Sequence, residues 1–138
     1  MPDNSNFAGL PLQFRDYIDA MGDWASDQTV VYVMPANITP APTAAAWSYT
    51  VPFELRSERT GKVIPINGTI AATVGDTSTA GTATVSSAAP VITMGRGTVN
   101  ILGDAQSWLN TETATLTLTY TNLRAGTDTD TFVITFTT

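Results

Sequence analysis

The sequence predicts an all-β fold, an antiparallel two-layer sandwich of about seven or eight short strands behind a short N-terminal helical arm. Three observations carry that expectation. Residues 113–121 read TATLTLTYT, with Ala114, Leu116, Leu118 and Tyr120 alternating against five threonines. Successive side chains of a strand point to opposite faces, so this segment has one side on a core and one toward water. Turn residues recur about every ten positions, the spacing of short strands joined by tight connections. The first 28 residues carry a helical period instead of a period of two, which divides the chain into an arm, 1–28, and a β-domain, 29–138.

In the arm, Leu10, Phe14, Tyr17, Ile18, Met21 and Trp24 fall within one arc of a helical wheel, and Arg15, Asp16, Asp19 and Asp23 lie opposite. Pro11 suits a first helical turn and Gly22 a helix end. A helix of roughly ten to twelve residues is marginal in isolation, so it must dock on its own domain or on a neighbouring subunit. Those six apolar residues are the candidate partner-binding set.

From Gln28 the period becomes two. Val30, Tyr32 and Met34 alternate with Val31 and Val33, which reads as a strand covered on both faces. PANITPAP then reads as an extended loop or edge crossing, because prolines stand at 35, 40 and 42. Trp47, Tyr49, Val51, Phe53 and Leu55 share the next inward face. Pro52 lies on the outer face and cannot donate to a ladder, which predicts an edge strand or a bulge. Asn67-Gly68 is the strongest short hairpin signal, since both residues tolerate positive φ. A turn over 75–81, weaker strands over 82–94, a strand over 98–102 after Gly95-Arg96-Gly97, and a loop over 103–110 carrying Trp108 and Leu109 follow. TATLTLTYT, the turn NLRAGTD and TDTFVITFTT close the chain.

Composition narrows the function classes. Hydrophobic residues make up 43% of the 138, enough for a core, while charged residues are only 13% and leave the surface to threonine. A net charge of −6 without a basic cluster argues against nucleic acid, where lysine and arginine on phosphates supply the affinity. No cysteine or histidine is present, which removes disulfides, thiolate metal sites and imidazole chemistry. No apolar run approaches a membrane span. The sequence MPDNSNFAGLPLQF has neither the basic head nor the apolar run of a secretory signal, so the chain is expected to act in the compartment where it is made or in a particle assembled there.

The carboxylates offer the candidate chemistry. Asp128 and Asp130, with Asp104 or Asp76 brought near, would supply oxygen ligands for calcium, but their spacing lacks the glycine and bidentate glutamate of a calcium loop. Glu54, Glu58 and Glu112 would have to face each other across a cleft to act as a glycosidase pair, and the pattern favours solvation or pairing with Arg56 and Arg59. GRG at 95–97 reads as a turn, and the acceptor patterns at Asn37 and Asn67 as incidental. The expected catalytic, cofactor and metal sets are all empty.

Four segments, FELRSERTGKVIPINGTI at 53–70, GRGTVNIL at 95–102, WLNTETATLTLTY at 108–120 and DTFVITF at 130–136, resemble the immunoglobulin-like sandwich domains of tailed-bacteriophage virion proteins, of both head-decoration and baseplate kinds. The resemblance implies an immunoglobulin-like sandwich, no catalytic residues and no cofactor. It implies a structural protein of the virion, assembled in the host cytoplasm and present in many copies or as a homo-oligomer. Its partner would be the major capsid protein or another virion protein, not nucleic acid or membrane. The leading expectation is a capsid decoration or cement protein. The alternative is a baseplate or fibre-linking module that binds a tail partner or host glycan, which would need exposed aromatics such as Trp47 or Trp108.

Overall fold

The computed structural model of the protein describes residues 18, 21, 29–34, 36–122 and 126–138. Its named elements are all strands: β1 Thr29–Val33, β2 Ala36–Pro40, β3 Trp47–Ser57, β4 Gly68–Thr69, β5 Ala71–Asp76, β6 Ala83–Val85, β7 Val91–Ile92, β8 Arg96–Gly103, β9 Thr113–Thr121 and β10 Thr127–Thr137. The longest ones alternate as the sequence requires. In β9 the residues 114, 116, 118 and 120 are buried and the threonines lie outward, and β3 buries 51, 53, 55 and 57 in the same way.

Two four-stranded sheets result, with strand orders β1-β3-β8-β6 and β2-β10-β9-β5, beside a small β4-β7 pair. All pairings are antiparallel except β2 with β10. The inward faces of both sheets supply one apolar cluster, in which Val51, Leu55, Ile101, Leu116, Leu118 and Phe132 are fully buried. Rings meet across the sheets: Tyr49 of β3 stacks on Phe132 of β10 at 5.4 Å, and Trp47 meets Phe136 edge-on at 5.2 Å.

The β1–β2 stretch ties the sheets along one side. β1 pairs with β3, and β2, next in the chain, pairs in parallel with β10, Ala36 opposite Val133. The segment expected as a loop or edge crossing is therefore an edge strand. β1 is covered on one face only, not two. Thr29, Val31 and Val33 are buried, whereas Tyr32 and Met34 are exposed, with the Arg56 guanidinium 3.6 Å above the Tyr32 ring. The outer edge of β1 is closed by side chains. Asp128 accepts from the Val31 amide at 2.7 Å and Asp130 from the Val33 amide at 3.0 Å. Both aspartates share the inward face of β10 with Phe132 and Ile134, beyond the apolar core.

β3 is an interior strand, contrary to the edge expected from Pro52. Its partner β1 ends opposite Phe53, so residues 47–52 are bordered by β8 alone. The Leu55 amide donates toward the β8 side, to Gly95 at 2.8 Å. By alternation the nitrogen of residue 52 points the other way, where β1 has stopped and no ladder bond is lost.

The hairpin turn also differs from the expectation. Asn67-Gly68 makes no hairpin, and Gly68 opens β4. The two-residue turn is Met94-Gly95, with φ of 51° and 81°, closed by reciprocal bonds between Thr93 and Arg96 at 2.8 and 3.1 Å. Asn67 serves that turn instead, its Oδ1 accepting from the Met94 amide at 2.8 Å. A turn with positive φ at both positions matches strand twist but normally takes Asn and Gly. Gly95 could carry no side chain, since an added Cβ would lie 2.2 Å from the Ile64 carbonyl oxygen.

Two outcomes follow for stability. Asp128→Ala and Asp130→Ala each strand a β1 amide, and each is expected to lower unfolding stability by about 1–3 kcal/mol in urea titration, with Asn substitutions milder because they keep an acceptor. Met94→Asn relieves the left-handed backbone and should raise stability by up to about 1 kcal/mol. A destabilised Met94→Asn would show that the methionine side chain packs productively at the turn.

Candidate functional site

Of the candidate partner-binding residues, Leu10, Phe14, Tyr17 and Trp24 lie outside the described residues, as does most of the expected helical arm. Ile18 and Met21 are described and half-buried, and Met21 packs against the apolar core of the β-body. That contact brings the chain before β1 back onto the body at one position.

The carboxylates considered as calcium ligands are taken up by backbone amides at separate places. Asp128 and Asp130 hold β1. Asp76 accepts from Ser78 at 3.2 Å and Ala83 at 2.9 Å, and Asp104 from Thr82 at 3.0 Å. Among the described residues no group of three or more His, Cys, Asp or Glu gathers as a metal site would require.

The glutamates do not face one another across a cleft. Glu54 pairs with Arg56 at 3.5 Å, as the sequence suggested, and also with Arg96 at 3.7 Å across the β3–β8 register. Glu112 lies near the opposite end of the sheets, where it precedes β9. It is buried and accepts from the Leu109 amide at 2.8 Å and the Thr79 amide at 3.1 Å. The Leu109 bond foremost, joined by bonds from Thr79 and Ser78 and opposed by burial, holds its carboxyl below the ordinary value of 4.5. Glu112 thereby fastens the 77–82 and 104–112 loops to the body. Its own backbone carbonyl accepts from the Phe136 amide at 2.9 Å. No local pattern marks this role, because the partner loop lies more than thirty residues away in sequence.

The two tryptophans weighed as glycan-binding aromatics belong to the interior. Trp108 is only 2% exposed, and Trp47 is half-buried and packed against the same cluster. Their rings meet edge-on at 5.4 Å, and Trp108 lies 4.7 Å from Phe136. Glycines make room for both indoles, since a Cβ at Gly103 would overlap Trp47 and one at Gly81 would stand 2.6 Å from Trp108 Nε1. Both indole nitrogens are buried without a hydrogen-bond partner, so the pair works as apolar filling. The exposed-aromatic requirement of a glycan-binding module is not met by these residues.

What the body presents outward on the β5–β9–β10 face is hydroxyl and small side chains. Thr119 and Thr129 meet at 3.2 Å across β9 and β10, and Thr77 and Thr113 at 3.4 Å. The small residues Ala71 and Gly75 of β5 leave two open grooves beside β9, of about 330 and 230 Å³, bordered by Thr119 and Thr121 in one and by Thr113 and Thr115 in the other. Such grooves suit contact with a surface more than enclosure of a small molecule.

Glu112 sets a pH dependence. A carboxyl with a depressed folded pKa stabilises the fold above its unfolded pKa, and that contribution is lost as pH falls through the folded value. Thermal stability should therefore fall as pH drops below about 4.5, and Glu112→Gln should melt lower at neutral pH with a shallower slope between about pH 5 and 3. An unchanged slope in the variant would remove Glu112 from this role. No protein-family model matches the chain, and no curated protein matches it in sequence.

Proposed function

We propose that the protein is a non-enzymatic structural component of a virion, a capsid decoration or cement protein that binds neighbouring capsid subunits and stabilises the head. What supports this reading is the apolar face that the sequence sets at helical spacing before β1, beside a β-body most of whose described acids serve structure. Asp76, Asp104, Glu112, Asp128 and Asp130 hold backbone amides, and Glu54 is held by two arginines.

The immunoglobulin-like part of the proposal rests on strand order. With the strands lettered in chain order, β1-β3-β8-β6 corresponds to A-B-E-D of an immunoglobulin sandwich, and β10-β9-β5 to G-F-C, with β2 added at the G edge. The chain departs from antibody domains in having no inter-sheet disulfide, and its half-buried Trp47 stands on the strand in the B position and its buried Trp108 on a loop, neither on the strand in the C position. Those departures leave the topology as the support, joined to the segments that resemble phage virion domains.

As a decoration protein, many copies assembled in the host cytoplasm would each contact the capsid weakly, and their contacts would act together through the shared lattice. The apolar arm face, Leu10 to Trp24, supplies the contact, and the threonine-rich sheet face stays outward. Deleting residues 1–28 should leave a body with a β-type circular dichroism spectrum that no longer sediments with purified heads. Normal co-sedimentation by the folded truncation would defeat the arm's role. Binding of the full chain to isolated tails and not to heads would replace decoration by a tail function.

A further inference from the structure

Each sheet ends in two edge strands, and an edge offers unpaired N–H and C=O groups to any strand that can reach it. At three of the four edges, described partners take up outward amides. Asp128 and Asp130 hold those of β1, Asp76 accepts from Ala83 of β6 at 2.9 Å, and the Ala88 carbonyl accepts from Ala72 of β5 at 2.9 Å. β2 is the exception. The Ala41 amide just beyond it donates to Thr137 of β10 at 2.8 Å, so by alternation residues 37 and 39 also face β10, and residues 36, 38 and 40 face away. Among the described residues no acceptor meets the Ala36 or the Ile38 amide. The side chains of 36, 38 and 40 are exposed, and Ile38, at 72%, is the most exposed of the described large apolar residues.

We infer that the open edge of β2 pairs antiparallel with β2 of a second copy, about a twofold axis at Ile38. The backbone pattern of the edge fits itself. Its outward groups are donors at 36 and 38 and acceptors at 36, 38 and 40, because Pro40 has no N–H. With Ile38 opposite Ile38, the two isoleucines exchange a pair of bonds, and each Ala36 amide donates to the Pro40 carbonyl of the other copy. Every outward donor of both edges is then met. The position without a donor falls opposite the Ala36 carbonyl, an acceptor at the end of the seam that water can serve.

Side chains and charge choose the same occupant. Residues directly opposite share a face, so the two exposed isoleucines pack on each other and leave water. A register slipped by two residues would set Ile38 against Ala36 and lose that contact. Each copy carries a net charge of −6, so two copies can approach closely only along an uncharged seam. Ala36–Pro40 and the outward residues Thr131, Val133, Thr135 and Thr137 of β10 provide one. The strand of a different protein would find no charged side chain on β2 to select it. The contact is isologous and joins two four-stranded sheets edge to edge. It is small beside the roughly 1,200 Å² of stable complexes, so the association is weak and set by concentration. The inference concerns the free protein and stands apart from the identity of any particle.

Sedimentation velocity of the full chain over a wide concentration range should show a reversible shift from monomer to dimer. Ile38→Lys sets two like charges at the axis on an exposed position and should abolish that shift, with circular dichroism confirming its fold. The cysteine-free chain adds a positional test. Opposed Cα atoms in such a pair stand about 5.5 Å apart, within disulfide range. Ile38→Cys should therefore form disulfide-linked dimers in mild oxidant several-fold faster than Val91→Cys, a similarly exposed position on β7, both rates being normalised to reaction with a small thiol reagent. A chain monomeric throughout, a shift that Ile38→Lys leaves unchanged, or equal linking at the two positions would overturn the inference. Linking of Ile38→Cys that appears only after residues 1–28 are deleted would overturn it as well, and assign the edge to the chain's own N-terminal segment. Head binding by the full chain is read separately, so either idea can fail without the other.

Discussion

The outer edge of β1 is the constraint on which the two-sheet arrangement turns. A strand that leaves one sheet to join another exposes amides on the side where no neighbour runs, and a buried amide without an acceptor costs about 1–3 kcal/mol. A further strand there would fuse the two sheets into one closed surface. Asp128 and Asp130 satisfy the Val31 and Val33 amides while letting the sheets diverge. Their position on the inward face of β10 is tolerable for the same reason, since each carboxylate finds a donor within 3.0 Å. Side-chain closure also blunts an edge that would otherwise invite pairing with another chain.

The same device recurs at the loops. Glu112 gathers amides from Leu109 and Thr79, Asp76 from Ser78 and Ala83, Asp104 from Thr82, and Asn67 from Met94. In a body without disulfides, acceptors placed at strand ends fix connections that backbone ladders cannot reach. The Met94-Gly95 turn shows how strongly this acts. Five bonds around it, those with Asn67, Ile66 and Leu55 and the two of the Thr93–Arg96 closure, hold a methionine at positive φ. Backbone strain persists where the surroundings over-determine it.

The strands were legible in the sequence because their signal is local. Alternation in TATLTLTYT and in 47–55 depends only on which face is buried, and both segments are strands with those faces inward. Partnership was not legible, because it depends on residues far along the chain. Pro52 signalled a missing ladder bond correctly, yet the cause is that β1 stops opposite Phe53, not that β3 lies at an edge. Asn67-Gly68 has the residues of a hairpin turn, but the Asn67 side chain was worth more as an acceptor for another turn. Asp128 and Asp130 look alike to a calcium ion and to an unpaired amide, and only the placement of β1 in one sheet and β2 in the other decides between them. Trp108 stands on a loop as read, but its burial was not legible, because nothing near it in sequence announces Gly81, which leaves the indole its space. The partner-binding arc could be read as an apolar face, while what it covers could not.

The threonine face and the ends of the body differ in what they can contribute to recognition. On the β9–β10 face, hydroxyls bond sideways to one another, as Thr119 does with Thr129, so part of their hydrogen-bonding capacity is spent within the sheet. The face carries small uncharged groups and open grooves, which give area without a strong anchor. The tryptophan end is likewise closed on itself, its indoles seated on glycines and its loops held by Glu112. Recognition strong enough to matter needs either a desolvated apolar anchor or complementary charge. Neither the threonine face nor the paired indoles supply such an anchor among the described residues, so a partner held on them would depend on many weak contacts acting together.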